Sequence, residues 1–236
     1  MITSNFLIPI LWIFSLHTPS PASIEKVETV IESENPTSLY DQLAEKTSTL
    51  PKKEVFELAM QGWKNLSSEL KSHVVTIIDF SLPSTEKRLW IIDPHKQEVL
   101  LQSVVSHGRN SGNLMATTFS NTPESYKSSL GFYKTAETYH GKHGYSLRLD
   151  GLEKGFNDQA RNRAIVIHGA DYAREEFAKS VGRLGRSLGC PALPSEISSK
   201  AIDFIKEGSL LFIYGQDEKY LKTSQLIQPS EQIAGL

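Results

Sequence analysis

HVVTIIDFSLPSTEKRLWIIDPHKQEVLLQSVV, residues 73–105, holds three short apolar runs, Val74–Phe80, Arg88–Ile92 and Val99–Val105, divided by turn chemistry such as Asp93-Pro94-His95. Runs of this length, rich in β-branched and aromatic residues, predict strands of a mainly antiparallel sheet. The same texture returns at Tyr145–Leu149, Ala164–Ile167 and Leu210–Tyr214, with Gly141-Lys142-His143-Gly144 as a further turn. Helical periodicity marks two stretches. In Pro51–Gly62, Val55, Leu58, Ala59 and Gly62 fall at i, i+3, i+4 and i+7, with Pro51 suited to a first helical position. In Glu196–Glu207, Ile197, Ala201, Phe204 and Ile205 fall at i, i+4, i+7 and i+8, with Gly208 as the stop. The expected fold class is therefore mainly β with a few packed helices (α+β). Trp63, Trp90, Phe132 and Tyr133 are expected in the core or under a docking helix rather than as stacking platforms.

Outside this folded part, expected over 51–216, the chain changes character. Phe6–Leu16 is uncharged and apolar, too short for a bilayer core of about 30 Å but the length of a secretory h-region. Ser20 and Ala22 form a small-x-small pair, so 1–22 reads as a signal peptide cleaved after Ala22, although no Lys or Arg precedes the run. Export to the periplasm or cell envelope follows as an expectation. Residues 23–50 read as a polar tether and 217–236 as a polar tail.

The 236 residues include 25 Lys plus Arg against 27 Asp plus Glu, a net charge of −2. Such a balance, without a basic stripe, argues against a nucleic-acid partner. The chain has one cysteine, Cys190, so no internal disulfide can form. A lone thiol in an exported protein is either a buried small hydrophobe or a reactive group. Its surroundings decide between them. Gly182, Gly185 and Gly189 leave too little side-chain volume to bury a thiol, and a glycine-rich loop frees backbone N–H groups to face an anion.

A nucleophilic thiol, with an ordinary pKa of about 8.5, needs a neighbouring imidazole to hold the thiolate. Arg163-Ala164-Ile165-Val166-Ile167-His168-Gly169 reads as a buried strand that delivers His168 at its end, and Gly185-Arg186-Ser187-Leu188-Gly189-Cys190-Pro191 follows it. N–H groups around Leu188, Gly189 and Cys190 are candidates for an oxyanion site. His107, in a Gly- and Ser-rich loop, either lines the cleft or caps a turn. His140 and His143 have an H-x-x-H spacing, but they flank glycines in a turn and lack the helical frame of a zinc peptidase, so no metal is expected. Arg161, Arg163 and Lys154 read as a solvated face.

His168-Gly169 followed by Ser187-Leu188-Gly189-Cys190 resembles the active-site signature of the murein L,D-transpeptidase (YkuD-like) family. Ser106–Gly112, Ser129–Tyr133, Gly141–Tyr145 and Gly185–Ser187 extend the likeness over roughly Val55 to Tyr214. The resemblance implies an L,D-transpeptidase-like catalytic fold over 51–216 and an exported, cofactor-free enzyme. It would act on peptidoglycan stem peptides through a cysteine acyl-enzyme, forming cross-links or trimming a terminal D-amino acid. It further implies Cys190 as nucleophile and His168 as base. Gly169, Arg186, Ser187, Leu188, Gly189 and His107 are the candidate substrate-binding residues. A monomer is expected, with carbapenem-type β-lactams as inhibitors. One departure stands out: many members carry an arginine two residues after the cysteine, where this chain has Ala192 after Pro191. Arg186 is the nearest replacement, with Arg183 and Arg109 behind it. An L,D-carboxypeptidase, a non-catalytic wall-binding module and a zinc-dependent wall peptidase using His140 and His143 remain the alternatives.

Overall fold

Strands β1 (Val75–Asp79), β2 (Leu89–Asp93) and β3 (Glu98–Ser103) form an antiparallel meander, as residues 73–105 predicted. The structure is a computed structural model and describes residues 38–228. The stretch read as a signal peptide and the beginning of the tether lie outside the described residues, as do 229–236. Five more strands follow: β4 (Gly131–Gly141), β5 (Gly144–Gly151), β6 (Val166–Gly169), β7 (Ala192–Leu193) and β8 (Leu210–Tyr214). They join one sheet of order β3-β2-β1-β8-β4-β5-β6-β7. All pairings are antiparallel except β1 with β8 and β6 with β7. The chain after β3 then bridges back to the opposite edge, where the Ser106 N–H donates to the Ala192 carbonyl at 2.8 Å.

β4 is the longest strand and was not marked in the sequence. Its first half is buried, but Lys134, Glu137 and the residues toward its tip face outward, so period-two alternation is lost where the strand leaves the core. Phe132 and Tyr133 are fully buried, and Phe132 stacks on Phe212 of β8 at 4.3 Å. Trp90 is buried as expected, and its indole N–H donates to Thr49 O.

Helix α2 (Lys53–Leu66) lies on β1 and β8 through Val55, Phe56, Ala59, Gly62 and Leu66. It starts after Pro51 and runs a turn beyond Gly62, where the expected helical stretch ended. A Cβ at Gly62 would meet Phe132 Cζ at 2.1 Å, so the residue is small because an aromatic ring presses on the helix. Helix α4 (Ser195–Ile205) matches the second periodic stretch and packs on β6, with Ala201, Ile202 and Ile205 buried. Helix α3 (Glu175–Val181) connects β6 to the loop before β7.

Both ends of the folded part extend beyond the expected boundaries. Leu39–Lys46, within the stretch read as tether, forms helix α1, capped by Ser38 and anchored by the fully buried Leu43. Glu218–Thr223, within the stretch read as tail, forms helix α5, capped by Asp217. One apolar anchor on an otherwise polar helix escapes a periodicity search. At α5 that anchor is Tyr220, fully buried, whose hydroxyl donates to Glu153 Oε2 at 3.0 Å, and Ser224 Oγ bonds the other Glu153 oxygen. Glu153 also accepts from the Phe132 N–H at 2.7 Å, so this buried carboxyl ties α5 to β4.

An alanine in a helix interior normally gains about 1 kcal/mol over glycine. At Gly62 the sign should reverse, because overpacking costs typically 1–3 kcal/mol. Gly62→Ala is expected to lower stability by about 1–2 kcal/mol, read as a reduced urea midpoint at unchanged m; a raised midpoint would show that Phe132 yields freely.

Candidate active site

The end of β6 and the loop before β7 are fastened side by side. His168 pairs in register with Ala192, two residues after Cys190, and with Ser146 of β5 on its other side. His168 and Cys190 line one cleft of about 480 Å³, together with Tyr139, Lys142, His143, Arg163, Tyr172, Arg186, Ser187 and Leu188. A larger hollow of about 700 Å³ between α1 and β3 holds no cysteine or histidine, so volume alone does not locate the chemistry.

His168 Nδ1 lies 2.9 Å from the carbonyl of Gly169. A carbonyl can only accept, so Nδ1 carries the proton and Nε2 keeps its lone pair. Burial, and then the nearby His143 and Lys142, hold this imidazole below its ordinary range, against the opposing Gly169 bond. The ring is neutral at pH 7 and able to take a proton. Burial also pushes the Cys190 thiol up, opposed by the Val166 N–H and the Arg163 charge. Its Sγ donates to Ala164 O at 3.6 Å. Ala164 itself holds a left-handed φ of 53°, an uncommon state for a side chain with Cβ, which costs of order 1 kcal/mol or more. Both shifts favour the neutral thiol and the neutral imidazole over the held thiolate that the sequence reading expected.

The loop around the thiol is organised by one hydroxyl. Ser187 Oγ donates to Cys190 O at 2.6 Å and accepts from the Gly189 N–H at 3.1 Å. Ser187 is buried, and its hydroxyl is engaged by the loop's own backbone. The Gly189 N–H is spent in this way, so of the three candidate oxyanion donors two are left. Among the described residues the Leu188 and Cys190 N–H groups donate to no protein acceptor. Gly189 has φ 125°, and a Cβ there would lie 2.9 Å from Lys127 O, so both conformation and space require glycine. Gly169 is small because α4 presses on it, with Ser198 Oγ 2.5 Å from a built Cβ. Leu188 projects outward, 54 % exposed, at the cleft rim.

Arg186 lines the cleft but commits Nη1 to the carbonyls of Arg109 and Gly112, at 3.1 and 3.0 Å. His107 does not reach the cleft. It is buried against Arg88, whose Nη2 donates to His107 Nδ1 at 2.8 Å, and burial with the Arg88 charge pushes its pKa down to about 4. Arg88 is likewise buried and donates to Val105 O and Leu82 O, which is why an aromatic acceptor rather than a substrate group occupies this position. Arg163 is no part of a solvated face: it is half-buried, donates to Ser120 O and Lys127 O, and carries charge toward Cys190. Arg161, in contrast, forms exposed ion pairs with Glu137 and Asp150. A single arginine code cannot separate the two; only the position of Arg163 beside the buried strand β6 hinted at it.

His140 and His143 take different neighbours. His140 leans on Tyr145, and His143 stacks on His168 with ring centroids 4.2 Å apart. Among the described residues no three His, Cys, Asp or Glu side chains gather in a metal-ligating group.

The family model of the L,D-transpeptidase catalytic domain matches residues 47–214. The chain belongs to this family. Solved structures similar to it include an L,D-transpeptidase from Mycobacterium smegmatis, at 14 % identity over 61 % of this chain and 59 % of that one, with a TM-score of 0.37. Another is an L,D-transpeptidase from Stackebrandtia nassauensis, at 15 % identity over 70 % and 68 %, with a TM-score of 0.38. A third is an L,D-transpeptidase solved in complex with imipenem, at 13 % identity over 60 % and 59 %, with a TM-score of 0.37. The chain spans about three fifths of the length of the first and third of these. No curated protein matches the chain.

In this L,D-transpeptidase domain the resting thiol makes a direct prediction. Alkylation of Cys190 by iodoacetamide should rise with pH to a midpoint above the roughly 8.5 of an ordinary thiol. A plateau already reached at neutral pH would instead reveal a preformed thiolate–imidazolium pair.

Proposed function

We propose that the protein is an exported peptidoglycan L,D-transpeptidase in which Cys190 is the nucleophile and His168 the general base. The observation that carries this reading is the tautomer of His168: with Nδ1 tied to Gly169 O, Nε2 is the basic nitrogen on a ring that shares the cleft with Cys190. Family membership supplies the reaction class, a transfer on peptidoglycan stem peptides.

The steps follow from these groups. The Cys190 proton passes to His168 Nε2 as Sγ attacks the carbonyl carbon of the amide between an L-centre and a D-residue. The tetrahedral oxyanion accepts hydrogen bonds from the Leu188 and Cys190 N–H groups, donors worth about 3–4 kcal/mol each when well aimed. His168 returns the proton to the departing amine, the C–N bond breaks, and a thioester remains. An amine of a neighbouring stem then attacks, again giving its proton to His168, and Sγ leaves and recovers it. Water in place of the amine gives carboxypeptidase trimming. The neutral resting pair suits this cycle, because the proton moves only when the nucleophile does.

The cleft lining offers Lys142, Arg163 and Arg186 and no carboxylate, within a chain of net charge −2. That local excess favours an anionic stem peptide. With Ala192 buried in β7, Arg186 takes over carboxylate binding, its Nε and Nη2 being free of protein partners among the described residues.

Purified protein and muropeptides test the reading together. Cys190→Ser should abolish turnover while the fold is kept, His168→Ala should lower kcat by about 10²–10⁴-fold, and Arg186→Ala should raise KM more than it lowers kcat. Intact-mass spectrometry should find one carbapenem adduct per wild-type chain and none on Cys190→Ser. Full activity of Cys190→Ser would remove the assignment. For export, protein recovered from the envelope should begin near Ser23; an intact Met1 on cytosolic protein would count against it.

A further inference from the structure

One aromatic ring in the cleft is still without a role. His143 occupies the two-residue turn between β4 and β5, closed by the Gly141–Gly144 pair, where Gly144 takes φ 73°. Its ring lies over His168 at 4.2 Å between centroids, tilted by 23°. Among the described residues the base is otherwise held by one hydrogen bond, to the carbonyl of the adjacent residue, and no carboxylate backs it. A bond to so near a neighbour leaves the ring free to tip about the Nδ1–O line. Tipping carries Nε2 out of line with a thiol, and a face-to-face neighbour blocks it.

We propose that His143 is the positioning residue of this base: its stacked ring fixes the plane of the His168 imidazole and keeps Nε2 turned to the cleft. The proposal rests on the assignment of His168 as general base. The β4–β5 turn thereby carries a constraint that the sheet alone does not supply. His140 leans on Tyr145 at 5.3 Å just below, and Tyr139 continues the same wall of the cleft.

The turn also sets the charge around the base. The titratable and charged groups lining the cleft with the ring pair are Lys142 of the turn, Tyr139 of β4, Arg163 and Cys190 of the flanking loops, Tyr172 and Arg186, and of these Lys142 acts on the His168 charge. Their fixed charges are all positive, so a protonated His168 is disfavoured. Removing the His143 ring takes away its own disfavouring of a charged His168 and part of the shelter from water. Both changes raise the pH at which His168 loses its proton, and the acid limb of kcat/KM moves up with it.

His143→Ala and His143→Phe in the full chain separate the two effects. Alanine is expected to lower kcat about tenfold with KM within twofold, since an aromatic pair is worth about that factor and alignment adds to it. Phenylalanine keeps the stack and should recover kcat to within about threefold, while the acid limb still moves to higher pH. Proton NMR of the His168 ring gives a readout independent of turnover: its titration should move to higher pH in both variants, more in His143→Ala. Equal loss of kcat in both, a change confined to KM, or an unmoved His168 titration would each overturn the positioning role. If His168→Ala retained full turnover, the base assignment itself would fall, whereas the NMR titration would still report on the stack.

Discussion

The parallel pairing of β1 with β8 joins the first strand of the fold to the last, and everything around the cleft is hung from it. β8 passes between β1 and β4, so its ladder holds the meander of residues 73–105 on one side and the long β4–β5 hairpin on the other. β5 then holds β6, and β6 holds β7. Each functional group sits on a later rung of this relay. Contacts of such sequence separation must overcome chain entropy before they repay any of it, and folds built on them form slowly.

Burial of charge beside the cleft is the second constraint. Arg88 is wholly enclosed without a carboxylate in hydrogen-bonding contact, and burial lowers its pKa to about 9. Two carbonyls and the His107 ring satisfy its donors. Such a group tolerates no loss of a partner, since an unpaired buried cation is worth several kcal/mol of destabilisation. His107 therefore belongs to the foundation under the glycine-rich loop, although its Gly- and Ser-rich context looked like a binding loop.

How much could be read beforehand follows from what each signal reports. β-Branched and apolar composition marked six strands, of which β1, β2 and β8 are buried throughout, Leu210–Tyr214 at its observed bounds, and β3 is mostly half-buried. β4 escaped because half of it stands out of the core, β7 because two residues make no pattern, and α1 and α5 because each is fastened mainly by a single residue, Leu43 or Tyr220. Within the candidate site, His168 and Cys190 were visible from the chemistry of a strand-end histidine and a thiol among glycines. The work of Ser187 on its own loop, the inward turn of His107 and the half-buried Arg163 were not. Each depends on which group lies within 3 Å in space, a carbonyl for Ser187 and Arg163 and the Arg88 guanidinium for His107, and spacing along the chain carries no record of that. The stack of His143 on His168 joins a hairpin turn to a strand end, so the nearest sequence signal, its spacing from His140, pointed to the wrong neighbour.

The rung that pairs His168 with Ala192 makes chain length itself a feature of the site. Successive residues of a strand face opposite ways, and neighbouring strands stand about 4.8 Å apart. Cys190 sits in the bend just before β7, with Pro191 alone between it and that rung. A codon gained or lost there would shift the thiol relative to His168 while leaving both residues unchanged. Along this short connection, substitutions and indels fall under different rules: a side chain such as Leu188 at the exposed rim can change without moving the loop, whereas a change in the number of residues between Cys190 and the rung displaces the thiol.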